Sequence, residues 1–295
     1  MIRRANPVLA GTAVLLAAVW LLTAHPFGAA PTGQPLPKPL AGFTTSAVIS
    51  VEVNGTRLER TKDLWSVTSG RHPGPADVAR VGSLVEALVN LEPARLVSDN
   101  PEPNLKEYGL DSPVRIVIER RGGGAPVTIE VGKRGPGGGS FYMVPPDHRI
   151  YESKTYLRDR VIPYEGTWRD LKIVEIDPAQ LAAVAVEIDG RKEVFTVDRN
   201  ALRSENGETI VIDRFFESLQ PLRAAALADT PPAGIALRGR VALITKQGTA
   251  LPLGIGRKEI SIDTVRKRIP VVTNETFLVT RYNLKPLLEL MDKVR

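Results

Sequence analysis

The chain has 295 residues, with 39 Lys and Arg against 33 Asp and Glu, a formal charge of +6 at pH 7 and no cysteine. A hydrophobic content of 43% is that of a globular protein and too high for general disorder, and the missing cysteines exclude disulfides and a lipid-modified cysteine anchor. The positive charge is spread over both halves and forms no basic domain, which argues against nucleic acid as a partner.

Residues 7–24 are the one long apolar run. Arg3 and Arg4 precede it, and no further Lys, Arg, Asp or Glu appears until Lys38. A span of the hydrocarbon core needs about 17–25 apolar residues, and cations before it stay in the cytoplasm. Residues 1–24 therefore read as an uncleaved signal anchor, with the membrane contacted through residues 7–24. The competing reading is a secretory signal peptide cut after a small-residue site such as Gly28-Ala29-Ala30. Both of these readings export everything that follows; a third, a buried core helix, is disfavoured by the linker-like residues after the run. Residues 25–42 are rich in proline and read as an extended linker.

Beyond the linker the chain repeats itself. Val51-Glu52-Val53-Asn54-Gly55 returns as Val186-Glu187-Ile188-Asp189-Gly190. Asn-Gly or Asp-Gly after alternating apolar residues is a strong hairpin signal. Val78, Val81, Leu84, Val85 and Leu88 have helical apolar spacing, and so do Ile212, Phe215, Phe216 and Leu219. Each predicted helix is followed by a small apolar tail before an aspartate, Arg95-Leu96-Val97-Ser98-Asp99 and Ala226-Leu227-Ala228-Asp229.

A hairpin through Gly122-Gly123-Gly124 closes on Gly132-Lys133, and its counterpart through Gln247-Gly248 closes on Gly256-Arg257. A third hairpin joins Phe141–Val144 to Arg149–Tyr151, matched by Ile269–Val272 and Phe277–Val279. Short helices are expected near Tyr156-Leu157 and near Tyr282-Asn283-Leu284. The spacing thus predicts an α+β fold, a tandem duplication of an antiparallel, hairpin-rich sheet with about two helices per copy, over 43–175 and 176–295.

The order of elements resembles a known family. Trp65-Ser66-Val67, a helix opened by Pro75-Ala76-Asp77, Tyr108-Gly109-Leu110-Asp111-Ser112-Pro113 and the strand ending Ile129-Glu130-Val131-Gly132 carry the likeness. Tyr142, Ile150-Tyr151 and Leu157-Arg158-Asp159 extend it. These residues resemble domain-of-unknown-function family 4340, bacterial envelope proteins that often hold two domain copies behind one anchor. The resemblance implies a single-pass protein of the cytoplasmic membrane with its bulk in the periplasm. It also implies a link to ABC-type or gliding-motility-like transport systems. The second copy has only Ala233-Gly234-Ile235-Ala236-Leu237 where the first has its tyrosine, aspartate and proline. The family supplies no catalytic residues to carry over.

Little in the chain points to chemistry. His25, His72 and His148 have no metal-ligand spacing, so neither a metal nor a cofactor is expected. Gly132-Lys133 fails the phosphate-loop pattern, with Val127 and Arg134 where a glycine and a Ser or Thr are required. Gly135 to Gly139 reads as a flexible hairpin loop. The basic cluster between Arg257 and Arg268 reads as a solvated strand or loop, or as a contact for an acidic polymer.

Tyr108 and Asp111 are the candidate interaction residues. One reading is turn chemistry, with Gly109 at the bend and Tyr108 and Leu110 in the core. The other is a polar corner that meets a partner. The expected function is a non-enzymatic, membrane-anchored accessory module with an envelope protein partner, such as an ABC transporter component. The alternatives are a polysaccharide binder or carboxylate-dependent hydrolase, or a small-molecule binder at the cleft between the lobes.

Overall fold

Asn54-Gly55 and Asp189-Gly190 do what their chemistry dictates: φ is 47° and 81° in the first pair, 49° and 82° in the second. Two successive positive φ angles match the twist of antiparallel strands, so each pair closes a tight hairpin. The computed structural model describes residues 36, 38–100, 104–145, 147–161, 167–229, 231–261 and 267–294. The anchor predicted at 7–24 and most of the linker lie outside the described residues. Among the described residues no helix is long and apolar enough to cross a membrane.

The first hairpin joins β1 (Val48–Val53) to β2 (Thr56–Thr61), and β3 (Leu64–Val67) and β4 (Gly74–Pro75) extend the meander. Helix α1 (Val78–Val89) then crosses to β5 (Pro93–Ser98) at the far edge. The short helix α2 (Leu105–Tyr108) leads into β6 (Val114–Arg120), which returns beside β1. β7 (Val127–Arg134), β8 (Ser140–Met143), β9 (Ile150–Ser153) and the short helix α3 (Arg158–Val161) complete this half. Among the described residues this makes a nine-stranded antiparallel sheet in the order β4-β3-β2-β1-β6-β7-β8-β9-β5.

β10 (Lys172–Val174) opens the second half. β11 (Leu181–Ile188), β12 (Arg191–Asp198), β13 (Ala201–Arg203) and β14 (Thr209–Ile210) form its first meander. β15 (Leu222–Arg223) pairs with β10, and β16 (Ala226–Leu227) takes the far edge. Then come β17 (Leu237–Thr245), β18 (Ala250–Gly256), β19 (Ile260–Ser261), β20 (Lys267–Val272), β21 (Thr276–Val279) and helix α4 (Arg281–Lys293). The second sheet runs β14-β13-β12-β11-β17-β18-β20-β21-β16, with β19 attached to β20. Strand for strand, this is the order of the first sheet. The architecture is α+β, two large antiparallel sheets with few helices.

Helix α1 forms where its pattern places it. Asp77 caps it by accepting the Arg80 N–H, and Val81, Leu84, Val85 and Leu88 bury one stripe against the first sheet. The second crossover differs from the expectation. Ile212, Phe215 and Leu219 are buried as the spacing requires, but the segment is turns and a single 3-10 turn over Glu217–Leu219. Arg214 has φ of 57°, which no right-handed helix accepts, and Pro221 disfavours helical backbone in the residue before it. Between them too few residues remain to repay the cost of a helical nucleus.

The layer over the second sheet comes instead from α4, which is longer than expected and holds Pro286 in its interior. Proline removes one helical hydrogen bond. Leu284, Leu287, Leu290 and Met291, fully buried against the second sheet, compensate. The two apolar tails expected before Asp99 and Asp229 are the edge strands β5 and β16.

One buried arginine ties the halves together. Arg169 is 3% exposed and donates to both carboxylate oxygens of Glu275, at 3.1 and 2.7 Å. It also donates to the carbonyls of His72, Pro73 and Pro75. Its guanidinium lies so close to Gly74 that a Cβ there would collide with it. Nearby, Arg71 and His72 reach Asp229, just past β16, at 3.0 and 3.3 Å.

Candidate functional site

β5 ends in register with β9, placing Arg95 opposite Glu152 and Leu96 opposite Tyr151. Alternation puts Arg95 and Glu152 on the face turned away from α1. There Leu110, Phe141, Met143 and Ile150 form a small apolar cluster, with Val97, Leu105 and Tyr108 packed on it. An open groove of about 420 Å3 runs beside this cluster, and Arg95, Lys133, Arg134, Tyr108 and Phe141 line it.

Beneath the groove Glu152 is 1% exposed. One carboxylate oxygen accepts the Gly137 N–H at 2.7 Å, and the other accepts Arg95 Nε at 2.8 Å. A carboxylate this deep must be paired, because an uncompensated buried charge is costly. The loop from Gly135 to Gly139 exists to meet it. A Cβ on Gly135 or Gly137 would strike the Glu152 side chain, so only glycine lets the backbone close over the acid. The loop is also bonded to itself, Gly135 N–H to Gly139 O at 2.8 Å and Gly138 N–H to Gly135 O at 3.1 Å. The flexible loop expected here is a fitted cover.

Arg95 remains 54% exposed at its side chain, and its two terminal amino groups have no partner among the described residues. Arg134 lies over the Tyr156 ring, 5.3 Å from its centroid. Tyr108 packs edge-on to Phe141, with centroids 5.1 Å apart and planes at 82°. Gly109, at φ of 67°, ends α2 and turns the chain so that Leu110 is buried.

Of the two residues singled out in sequence, Tyr108 lines the groove and Asp111 is exposed outside it. No hydrogen bond joins them among the described residues. Arg95 and Glu152 were missed. The signal that could have found them was the glycine loop, together with an acid placed where an apolar residue alternates into the sheet.

His72 lies in the seam between the halves, His148 is in the β8–β9 turn with φ of 57°, and His25 lies outside the described residues. Among the described residues no group of three or more His, Cys, Asp or Glu could hold a metal ion. Two larger hollows, of about 490 and 700 Å3, flank the seam, where Arg71 pairs with Asp229 and Arg169 with Glu275. Elsewhere, burial pushes the Tyr142 hydroxyl well above its ordinary value, and its oxygen has no hydrogen-bond partner among the described residues.

The model of a domain of unknown function, DUF4340, matches residues 65–237. The chain belongs to the DUF4340 family. The matched stretch starts in β3 and ends at the start of β17, so it holds Arg95, Glu152 and the glycine loop and runs on into the second sheet. No curated protein and no solved structure matches the chain. DUF4340 membership names no chemistry, so the groove has to be read from its own residues.

Proposed function

We propose that the chain is a non-enzymatic accessory module that docks a partner protein outside the cytoplasm through the groove face of its first half. In this reading residues 7–24 anchor it in the cytoplasmic membrane and the two halves descend from a tandem duplication. The partner belongs to the envelope, with an ABC-type transport component favoured by the family resemblance alone.

One observation carries the reading. In the second half the edge strand β16, the following Asp229 and the turn holding Glu275 all face the first half and are held by Arg71, His72 and Arg169. Their counterparts by strand order are β5, Asp99 and the β8–β9 turn. Among the described residues no strand lies beyond β5. The fold already uses this edge for docking within one chain, and the second example of it stands open beside a lined groove.

The test is site-specific photo-crosslinking of the full chain in cells. A crosslinker at exposed Ala94 on β5 should yield a protein adduct, and one at Val211, 75% exposed in the second half, should not. Adducts from neither site, or equally from both, would refute the docking face. For the location, a phosphatase fused after residue 42 should be active and a β-galactosidase inactive; the reverse would refute the topology.

A further inference from the structure

The partner's chemistry can be taken further, on the footing of that docking reading. We propose that the groove takes an acidic side chain of a partner protein's extended segment. Arg95 is the anchor, and Glu152 is the positioning residue that aims it.

The second half supplies the first argument. Arg95 faces Glu152 on β9, and Glu152 faces Phe141 on β8. At the same places in the second sheet, Ala226 faces Leu278 and Leu278 faces Pro270. The same topology therefore closes with an apolar pair. Here only the acid is buried and the arginine is half exposed, and such a pair gives a fold little net stability, so apolar residues of similar size often replace it without loss. Closing the edge of the sheet does not by itself require Arg95, Glu152 and the glycines fitted over the acid, and a ligand would give the set a use.

Geometry names the ligand's reacting group. Both Glu152 oxygens are engaged, and Arg95 spends only its Nε on them. The outer edge of the guanidinium is left free in a fixed plane, and a planar fork of N–H donors matches a carboxylate. Lys133 and Arg134 add cations, while Glu107 stands on the rim and Glu152 beneath. The positive surplus is small. It suits one carboxylate better than a densely anionic lipid surface. Tyr108, Phe141 and Val97 form an apolar wall, so an apolar residue should flank the acid.

The contact is made by side chains and not by an added strand, because Pro93 and irregular register at both ends blunt the edge of β5. The chain's own leader cannot be the occupant, since no Asp or Glu precedes Glu52.

The test uses detergent-solubilised full chain as bait for a displayed random-peptide library. Enriched peptides should carry Asp or Glu beside an apolar residue, and Arg95→Ala should weaken a selected peptide by at least about tenfold. The pair R95A/E152L copies the second half; it should hold the unfolding midpoint near that of the parent chain and weaken binding equally. Arg95→Lys separates the roles. It keeps the ion pair and the unfolding midpoint but should lose most of the binding, which a merely structural arginine would not do.

Enrichment of basic or uncharged peptides, or acidic peptides that ignore Arg95, would overturn the inference. So would Arg95-dependent binding of phosphatidylglycerol vesicles, or Arg95-dependent self-association in sedimentation, each of which assigns the groove to another occupant. An Ala94 adduct in cells without acidic enrichment would remove this inference and leave the docking face standing.

Discussion

The two halves share one strand order and differ in what covers it. In the first half the crossover helix α1 supplies the apolar layer, and the terminal helix α3 is a single turn among the described residues. In the second half the crossover is reduced to a 3-10 turn, and the terminal helix α4 supplies the layer. A sheet face needs an apolar partner, but topology does not dictate which segment provides it. The outer faces differ as well. Arg95 and Glu152 under a glycine loop in one half correspond to Ala226 and Leu278 in the other. A pair of halves in one chain thus acts as its own control: what both keep is needed to fold, and what only one keeps asks for another explanation.

The largest loss is expected at the seam between the halves. Arg169→Ala should cost about 3–5 kcal/mol in chemical denaturation, because it empties a buried site, takes the donor from three carbonyls at once and leaves Glu275, 35% exposed, without its counter-charge. A loss below about 1 kcal/mol would mean that the halves hold together without this arginine.

Next in size is a matched pair of cavities. Leu84 in α1 and Leu290 in α4 are both fully buried. Each Leu→Ala change should cost about 2–5 kcal/mol, and if each helix is the apolar cover of its own sheet the two losses should be similar. A loss at Leu84 with none at Leu290 would show that α4 is an accessory and not the second sheet's cover.

The smallest effect concerns acid. Lys154 first, then Lys38, holds the Glu92 carboxyl at about 2, below its ordinary 4.5. Arg57, helped by Ser50, lowers Glu119. A carboxyl lowered by folding adds stability above its unfolded value and loses it as pH falls through the folded one. The denaturation midpoint should therefore drop between about pH 4.5 and pH 2, and drop less in Glu92→Gln. These groups are solvent-exposed, so high salt should flatten the difference. An unchanged acid profile in Glu92→Gln would remove the Lys38–Glu92–Lys154 cluster as its source.

Several features were legible because their signals are local. Asn54-Gly55 and Asp189-Gly190 fix their turns by backbone sterics, Asp77 caps α1, and period-two alternation marks β1, β6, β11 and β17. The repeat in sequence order foretold two alike sheets of antiparallel hairpins. It did not foretell β5 and β16 as edge strands, since a short apolar tail carries no sign of what it will pair with. Nor did it foretell the fate of Phe215 and Phe216, whose helical spacing lost to the positive φ of Arg214 and to Pro221.

The groove was half visible. Tyr108 could be singled out because a turn residue sat beside it, and the glycines from 135 to 139 could be seen but not interpreted. Arg95 and Glu152 lie 57 positions apart, and only the antiparallel pairing of the edge strand with β9 makes them neighbours. The turns, the strand alternation and the first helix are set by neighbours along the chain and could be read from it, and the doubled order showed in the recurrence of those local signals. Tertiary structure alone decided which helix covers which sheet, which acid is buried and which arginine it aims, because burial is a property of distant segments brought together.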